Sequence, residues 1–184
     1  MISKYKKVNI KSILLGSILI FVIGGVGIVL NTSKSKVQAP VKTPTAVAEQ
    51  FLKNINTVDA KKVADFKALN LQSTEAIDKD IQPLMTKGGY EDIIANQFNT
   101  LTTKFCVKGN YTSQVTDFTL GKNIYGEKDA KVRYRFEVKL KFTSDSGKSE
   151  QPDALEGAIE LLKENGEWKV STYDISKRPK IYNK

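Results

Sequence analysis

Charged and apolar side chains alternate along residues 130–142, and no other stretch of the chain has residue types and spacing better suited to a binding site. Residues of one parity share a face of a strand, so four basic groups with Glu137 among them form one ionic row. Such a row attracts an acidic or anionic partner, and arginine is enriched at protein interfaces. The more ordinary alternative is a solvated sheet face whose charges suppress pairing with other chains. The basic residues of this candidate partner-binding face are Arg133, Arg135, Lys139 and Lys141.

Residue types suited to catalysis or metal binding are sparse elsewhere in the chain. It has no histidine, the commonest general base and metal ligand in proteins. Cys106 is the single cysteine, so no intrachain disulfide forms, and its apolar neighbours predict a buried thiol. Glu75, Asp78 and Asp80 lie close together but lack the glycine and terminal glutamate of a calcium loop, which favours a solvated helix face. We therefore expect no metal and no cofactor.

An apolar segment near the N-terminus predicts a membrane anchor. No ionisable residue occurs between Ser12 and Ser33, and a helix of that length crosses the roughly 30 Å hydrocarbon core of a bilayer. By the positive-inside rule, the preceding lysines keep the N-terminus in the cytoplasm and place the C-terminal domain outside the cell. A cleaved signal peptide is disfavoured, because the apolar run exceeds the roughly 7–15 residues of a signal core and Pro40 follows the small-residue site. The predicted segments are a basic cytoplasmic tail at 1–11, a transmembrane helix in membrane lipid at 12–33 and a linker at 34–43.

The net charge of +9 is concentrated at the two ends of the chain. Residues 1–36 hold six lysines and residues 177–184 hold four basic residues, with no acid in either stretch. The body at 37–176 therefore carries a net charge of −1, which argues against a nucleic-acid partner. We interpret residues 177–184 as a basic C-terminal tail.

Two helices are predicted at the start of the domain. Thr43 is placed to cap the first, and the apolar stripe of that helix follows at helical spacing. Asp59 is placed to cap the second helix in the same way. The stripe of the first helix comprises Val47, Phe51 and Ile55.

Two more helices are predicted before the period of the sequence changes. A short one at 73–85 carries Ile77 and Ile81. Gly88 and Gly89 then break the chain, and a longer amphipathic helix follows at 90–105. The predicted buried face of the longer helix comprises Ile94, Phe98, Leu101 and Phe105.

Beyond Cys106 the apolar period becomes two, which predicts strands at 107–121, 129–143, 154–163 and 167–175. Asn165-Gly166 is a strong hairpin signal between the last two strands. Short turns join successive strands into an antiparallel meander. Helices first and strands second predict an α+β fold, with the helices packed on one face of a curved four-stranded antiparallel sheet.

The order of these elements, and the closing stretch GAIELLKENGEWKVSTYDI at 157–175, resemble the nuclear-transport-factor-two-like superfamily with its cystatin-like, cone-shaped α+β fold. The resemblance covers about residues 44–176, which we take as the extracytoplasmic cone domain. The superfamily includes isomerase- and cyclase-type enzymes, anchored extracellular domains, and single-pass scaffold subunits of type IV secretion and conjugation machines. The layout of those scaffold subunits is similar to the layout predicted here.

The resemblance also implies what catalysis or ligand binding would require. Isomerase-type members use a carboxylate base beside tyrosine donors in an apolar pocket. Asp65, Tyr90, Tyr111, Asp117 and Tyr134 have suitable side chains, but their spacing selects no set, so we expect no enzyme. The candidate residues of an apolar cone pocket are Phe51, Phe66, Phe98, Tyr134, Phe136 and Trp168.

Together these inferences predict a single-pass, membrane-anchored extracytoplasmic binding or scaffold module of a bacterial cell-envelope assembly, in its sharpest form a conjugation or type IV secretion scaffold. A lysine-rich, histidine-free composition is typical of a Gram-positive source. Membrane lipid and envelope proteins are the expected partners, and a second copy of the chain and a small-molecule ligand are left open. The alternatives are a small-ligand-binding domain that uses the apolar cone pocket, and a small isomerase- or cyclase-type enzyme.

Overall fold

The structure, a computed structural model, describes residues 42–68, 78–121, 130–150 and 152–183, all within one compact unit. The predicted cytoplasmic tail, the transmembrane helix at 12–33 and nearly all of the linker lie outside the described residues. Within the described ranges, no helix is long and apolar enough to cross a membrane.

The first two helices begin where the sequence predicts. In α1, Pro44–Asn56, the Thr43 hydroxyl oxygen accepts a hydrogen bond from the Ala46 backbone N–H at 3.2 Å. In α2, Ala60–Ala68, an Asp59 carboxylate oxygen accepts one from the Lys62 backbone N–H at 2.7 Å. These bonds satisfy backbone donors that a helix start leaves free. The predicted apolar stripe of α1 is buried: Val47, Phe51 and Ile55.

The long helix predicted at 90–105 is wrong. The chain forms α3, Lys87–Ala95, a 3₁₀ turn at Phe98–Thr100 and α4, Leu101–Gly109. The side chain of Asn96 donates back to Asp92, and Gln97 adopts a left-handed conformation with φ of 57°, so the helix ends there. The interruption rotates the apolar face: Ile93 is buried at 1% exposure, whereas the predicted Ile94 is 37% exposed.

The Gly88-Gly89 pair lies inside the first turn of α3 rather than breaking the chain before it. Thr86 caps this helix by accepting from the Gly89 backbone N–H at 3.0 Å. A Cβ on Gly89 would lie 2.8 Å from the backbone oxygens of Val170 and Ser171. Glycine therefore lets α3 rest directly on the backbone of the last strand.

The short helix predicted at 73–85 is only partly within the described residues, because Ile77 lies outside them. Ile81 is buried, and the segment closes in a 3₁₀ turn at Gln82–Leu84. From Met85 the chain runs beside the last strand, where the Thr86 backbone N–H donates to the Val170 oxygen at 2.9 Å. This contact covers part of one edge of the sheet.

The sheet has the predicted antiparallel meander, with the order β1-β2-β3-β4. β1 starts later than expected, because α4 continues through Gly109 and Asn110 ends it with a left-handed φ of 54°. Asn165 and Gly166 both have positive φ, as a two-residue hairpin turn requires. The register skips one residue of β1 and two of β4, which marks bulges that bend these strands. The bounds are β1 Tyr111–Leu120, β2 Lys131–Ser144, β3 Asp153–Glu164 and β4 Glu167–Lys177.

The two faces of β2 divide as the alternation predicts, so the α+β class is confirmed. One face of the sheet carries the core beneath α1 and α4, and the charged parity of β2 lies on the other, which we call the outer face. Gly157 on β3 allows this packing, because a Cβ there would lie 2.6 Å from the Phe136 ring. The apolar residues of β2 buried in the core are Val132, Phe136, Val138, Leu140 and Phe142.

The folded domain extends beyond residue 176, where the sequence places the start of a basic tail. β4 continues through Lys177, and a 3₁₀ turn follows at Lys180–Asn183. Ile181 in this turn is 5% exposed, and the Tyr182 ring stacks on Phe105 at a centroid distance of 4.7 Å. These apolar side chains hold the end of the chain against α4.

Candidate functional site

Arg133 on the outer face is committed to pairing within the sheet. Its guanidinium lies 3.0 Å from an Asp174 carboxylate oxygen and 3.8 Å from Glu160, which faces it across the β2–β3 pair. Glu160 is only 7% exposed and also pairs with Lys131 at 3.0 Å. A nearly buried carboxylate needs such partners, so Arg133 stabilises the fold.

Lys139 has a weaker attachment to its neighbour. Its ammonium lies 3.3 Å from an Asp117 carboxylate oxygen on β1, and both side chains are half or more exposed. Exposed pairs of this kind contribute about 0–1 kcal/mol, so an incoming anion can compete for Lys139. Glu156 and Lys177 form another pair, whose hydrogen bond raises the pKa of Lys177.

Arg135 and Lys141 are the accessible cations of the predicted binding face. Both are exposed, and within the described part of the chain neither forms an ion pair. Small or neutral side chains lie opposite them, since Arg135 faces Ala158 and Lys141 faces Gln114. The two lie six positions apart on β2, a distance of about 20 Å along the strand. The structure therefore divides the four predicted residues into one structural arginine and three available cations.

Three of the predicted pocket residues meet around a tyrosine that sequence analysis did not single out. Tyr173 stacks on Phe136 at 5.5 Å and meets Phe51 at 5.3 Å and Phe98 at 6.1 Å edge-on. Burial raises the pKa of the Tyr173 hydroxyl group. The ring of Tyr173 fills the space among these side chains. Tyr173 is on the opposite parity of β4 from Trp168 and Val170, and it reaches the core because the register with β3 skips one residue between Val170 and Thr172. Alternation counted from Trp168 therefore gave no signal for it.

The other three predicted pocket residues lie elsewhere. Phe66 is buried beneath α2. The Tyr134 hydroxyl lies 3.5 Å from the Thr45 hydroxyl at the start of α1. Trp168 lies near the β3–β4 turn, with the Lys163 ammonium 5.9 Å from its ring centroid. The six candidates thus do not surround one common space.

The candidate carboxylates for catalysis are occupied by lysines. Asp65 pairs with Lys61 at 2.6 Å, and Asp117 pairs with Lys139. The expectation that Asp78 lies on a solvated helix face is wrong, because its exposure is 0%. Its position three residues before the buried Ile81 was the signal for this burial.

Asp78 accepts hydrogen bonds from two side chains of the following segment. The Tyr90 hydroxyl donates to it at 3.1 Å, and the Asn99 amide donates to each of its oxygens at 3.1 Å. A buried carboxylate beside a tyrosine is the pair that an isomerase-type site requires. Here it is sealed from solvent and links α3 to the 3₁₀ turn, so its evident role is to hold these elements together.

A second buried polar chain connects α1, α4 and the end of the chain. The Thr102 hydroxyl donates to the Asn56 side-chain oxygen at 3.1 Å and lies 2.9 Å from the Tyr182 hydroxyl. Because a hydroxyl donates only once, Tyr182 must donate to Thr102. Burial raises the pKa of Tyr182, as it does for Tyr173.

An open polar cleft of about 250 Å³ lies where α1 ends and α2 begins. Lys62, Thr57, Lys53 and Lys79 line it, and Asp65 is the predicted catalytic candidate that also lines it. Across the described ranges, no group of three or more cysteine, aspartate or glutamate side chains is arranged to hold a metal ion.

Comparison with known proteins leaves the chain without a family. No protein-family model matches it, and no curated protein does either. Among solved structures, the intermembrane space region of the chloroplast protein ARC6 is similar over 74% of this chain and 98% of that chain, at 8% identity and a TM-score of 0.39. A calcium/calmodulin-dependent protein kinase II association domain from Xanthomonas campestris is similar over 46% of this chain and 56% of that chain, at 14% identity and a TM-score of 0.29. Similarity at this level assigns neither family nor function.

Proposed function

We propose that this protein is a single-pass, membrane-anchored extracytoplasmic binding module of a bacterial cell-envelope assembly, and that it holds an acidic protein partner on the outer face of its sheet. The observation that carries the proposal is the exposure of Arg135 and Lys141 on that face, outside any ion pair of the described residues. A scaffold subunit of a conjugation or type IV secretion machine is the most specific form of this role.

The positions of the polar and apolar groups favour a binding function over catalysis. The core side of the sheet is filled by the protein's own aromatic rings around Tyr173. On the outer face Ala158 lies beside Arg135 and the neutral Gln114 lies beside Lys141, so a partner surface can reach both cations. Charges arranged in this way govern association rate and partner choice more than raw affinity.

The anchor is argued from the sequence alone. An ion-free segment at 12–33 behind a lysine-rich start supports a helix in lipid and a domain on the far side of the membrane. Protease treatment of whole cells tests this placement. The folded domain should be removed by shaving, while the remaining N-terminal fragment stays with the membrane; recovery of the intact chain from the soluble fraction would exclude the anchor.

Reversal of the free charges tests the binding surface. In detergent extracts after cross-linking, the chain should co-purify with an envelope protein, and the double variant Arg135→Glu, Lys141→Glu should lose most of that protein. The matched control is Lys87→Glu, Lys104→Glu, which reverses two exposed lysines on α3 and α4. Equal recovery from the two double variants would remove the outer face from the proposal.

The alternative function, a domain that binds a small ligand in its apolar interior, requires the core to rearrange. A small molecule in the apolar interior must displace Tyr173, which is 3% exposed and packed by three phenylalanine rings. A compound that binds there would raise the melting temperature. Because it displaces Tyr173 from its buried place, it would also let this tyrosine ionise at a lower pH than in the ligand-free protein, which ultraviolet absorbance measures.

A further inference from the structure

Lys62 has an unusual position in the cleft between α1 and α2. Its ammonium nitrogen lies 3.0 Å from the Asn54 backbone oxygen and 3.1 Å from the Thr57 backbone oxygen, at the C-terminal end of α1. These are carbonyls that the helix itself leaves without donors. Among the described residues no carboxylate lies within ion-pair distance of this amine.

The surroundings of Lys62 favour its neutral form relative to an ordinary lysine. Burial lowers the pKa of Lys62 and is the largest influence on it. Asp80, Asp59 and Asp78 act in the opposite direction, and Lys79 reinforces the lowering. A partly desolvated lysine of this kind is a nucleophile at a pH where exposed lysines are still protonated.

We propose that Lys62 is a covalent attachment site for small aldehydes that carry an anionic group, such as a phosphate or a carboxylate. The cleft around it has room for such a molecule, at about 250 Å³. This site lies on the helical side of the domain and is independent of the outer face of the sheet.

The geometry leaves the nitrogen lone pair available for reaction. A neutral amine has two N–H groups, and the two backbone oxygens of Asn54 and Thr57 accept both. The lone pair attacks the aldehyde carbon, a carbon–nitrogen bond forms as the carbonyl π bond breaks, and the nitrogen gives up one proton as the oxygen takes one up. Loss of water from this carbinolamine gives the imine, so amine and aldehyde yield imine and water with no oxidation or reduction. The protonated imine keeps one N–H, which still has a backbone oxygen to bond.

The cleft also offers cations to an anionic aldehyde. Lys53 and Lys79 line it, and within the described ranges neither is in an ion pair, so both can bind an anionic group. Three carboxylates line the cleft as well: Asp65 is paired with Lys61, Asp59 accepts from the Lys62 backbone N–H, and Asp80 lies beside Lys79 in the sequence. Thr57 also lines the cleft, and its hydroxyl oxygen is buried without a hydrogen-bond partner among the described residues.

If Lys62 served only as a structural cap of α1, we would expect its amine to be no more reactive than an exposed lysine. A permanently charged ammonium at a helix C-terminus is favourable and unreactive. The two roles differ in the reactivity of Lys62 relative to an exposed lysine of the same chain, and Lys104 on α4 provides that comparison.

The test is reductive trapping on the full-length chain at pH 7, with pyridoxal 5′-phosphate as the anionic aldehyde and propanal as the neutral one. After reduction and proteolysis, mass spectrometry quantifies the adduct at each lysine. We expect about tenfold more pyridoxyl adduct at Lys62 than at Lys104. Lys62→Arg, which keeps the cation and its hydrogen bonds but lacks a primary amine, should lose this adduct without loss of helical circular dichroism.

A second variant separates recognition of the anion from reactivity. Lys53→Gln, Lys79→Gln should reduce the pyridoxyl adduct at Lys62 severalfold and leave the propanal adduct unchanged. Equal labelling of Lys62 and Lys104, or labelling of Lys62 only in urea, would overturn the attachment site. Loss of both adducts or of neither in the double variant would overturn the preference for an anionic aldehyde.

Discussion

At the scale of single residues, two arginines that are indistinguishable in the sequence have different roles. Arg133 and Arg135 occupy the same parity of β2, yet Arg133 neutralises Glu160 and Asp174 while Arg135 faces Ala158. Sequence alternation assigns a side chain to a face but not to a partner, because the partner depends on strand register. The four predicted residues therefore share one face of the sheet, but Arg133 is held within that face by Glu160 and Asp174.

Arg133→Ala should destabilise the domain by about 1–3 kcal/mol, because the nearly buried carboxylate of Glu160 loses one of its cationic partners. Arg135→Ala, the matched control on the same strand, should change the free energy of unfolding by less than about 0.5 kcal/mol. Urea denaturation of the two variants measures both values. A larger loss for Arg135 than for Arg133 would contradict the assignment of roles.

Cys106 should be inert while the protein is folded. Its exposure is 0%, and burial raises the pKa of its thiol to about 12 from a model-compound value of 9.0. The thiolate is the reactive form, so a thiol-specific reagent at pH 8 should react only through unfolding. Labelling in native buffer at the rate seen in denaturant would show that the thiol is accessible.

At the scale of elements, the sequence predicts what depends on local chemistry and misses what depends on packing. Thr43 and Asp59 cap helices, and Asn165-Gly166 turns the last hairpin, because each acts through its own neighbours. The end of α3 was missed because the Asn96–Asp92 bonds and the left-handed Gln97 override a continuous apolar period. The break predicted at Gly88-Gly89 is wrong, because the carbonyls that require a glycine at position 89 belong to Val170 and Ser171 on β4 and are distant in the sequence.

The two glycines of α3 form a matched pair for testing this contact. Gly89→Ala should destabilise the domain by about 1–3 kcal/mol, because the new methyl group meets backbone oxygens that cannot move aside. Gly88→Ala, with nothing within 4 Å of its added carbon, should stabilise it by about 0.5–1 kcal/mol. Thermal unfolding of the two variants gives the comparison, and changes of the same sign would mean that α3 does not rest on β4 as described.

In the candidate site, too, the sequence predicts features that follow from local patterns and misses those that follow from packing. Alternation located the cations of β2, and the apolar stripes located Phe51 and Phe136 in the core. Neither pattern could identify Tyr173 as the ring that fills the space between them, since that follows from three-dimensional packing. The cleft at Lys62 gave no sequence signal beyond a lysine three residues after a helix cap.

At the scale of the whole molecule, three buried weak acids make the fold sensitive to high pH. Burial raises the pKa of Cys106 to about 12 and raises the pKa values of Tyr173 and Tyr182 above their ordinary 10.0. Above pH 9 the unfolded chain releases these protons and the folded chain keeps them, so the unfolded state binds fewer protons and stability falls as pH rises. Below pH 9 their contribution is fully present.

The free energy of unfolding should therefore decrease above pH 9, by about 1.4 kcal/mol per pH unit for each group once the pH exceeds its unfolded pKa. Lys62, whose pKa is lowered, acts with the opposite sign in this range. Tyr182→Phe isolates one group: it should cost about 1 kcal/mol at pH 7 through the lost hydrogen bond and flatten the decline above pH 10. An unchanged slope in this variant would show that Tyr182 titrates normally in the folded state.

The proposed role, an extracytoplasmic domain whose outer sheet face binds a partner, is tested most directly by site-specific photo-cross-linking in native cells. A photoreactive residue at Thr119, exposed on β1 opposite Glu137, samples the outer face, and one at Ala95 on α3 samples the helical side. We predict an adduct with one envelope protein from position 119 that disappears when Arg135 and Lys141 are changed to glutamate, and no such adduct from position 95. An adduct from position 95 alone, or one from position 119 that survives charge reversal, would contradict the account.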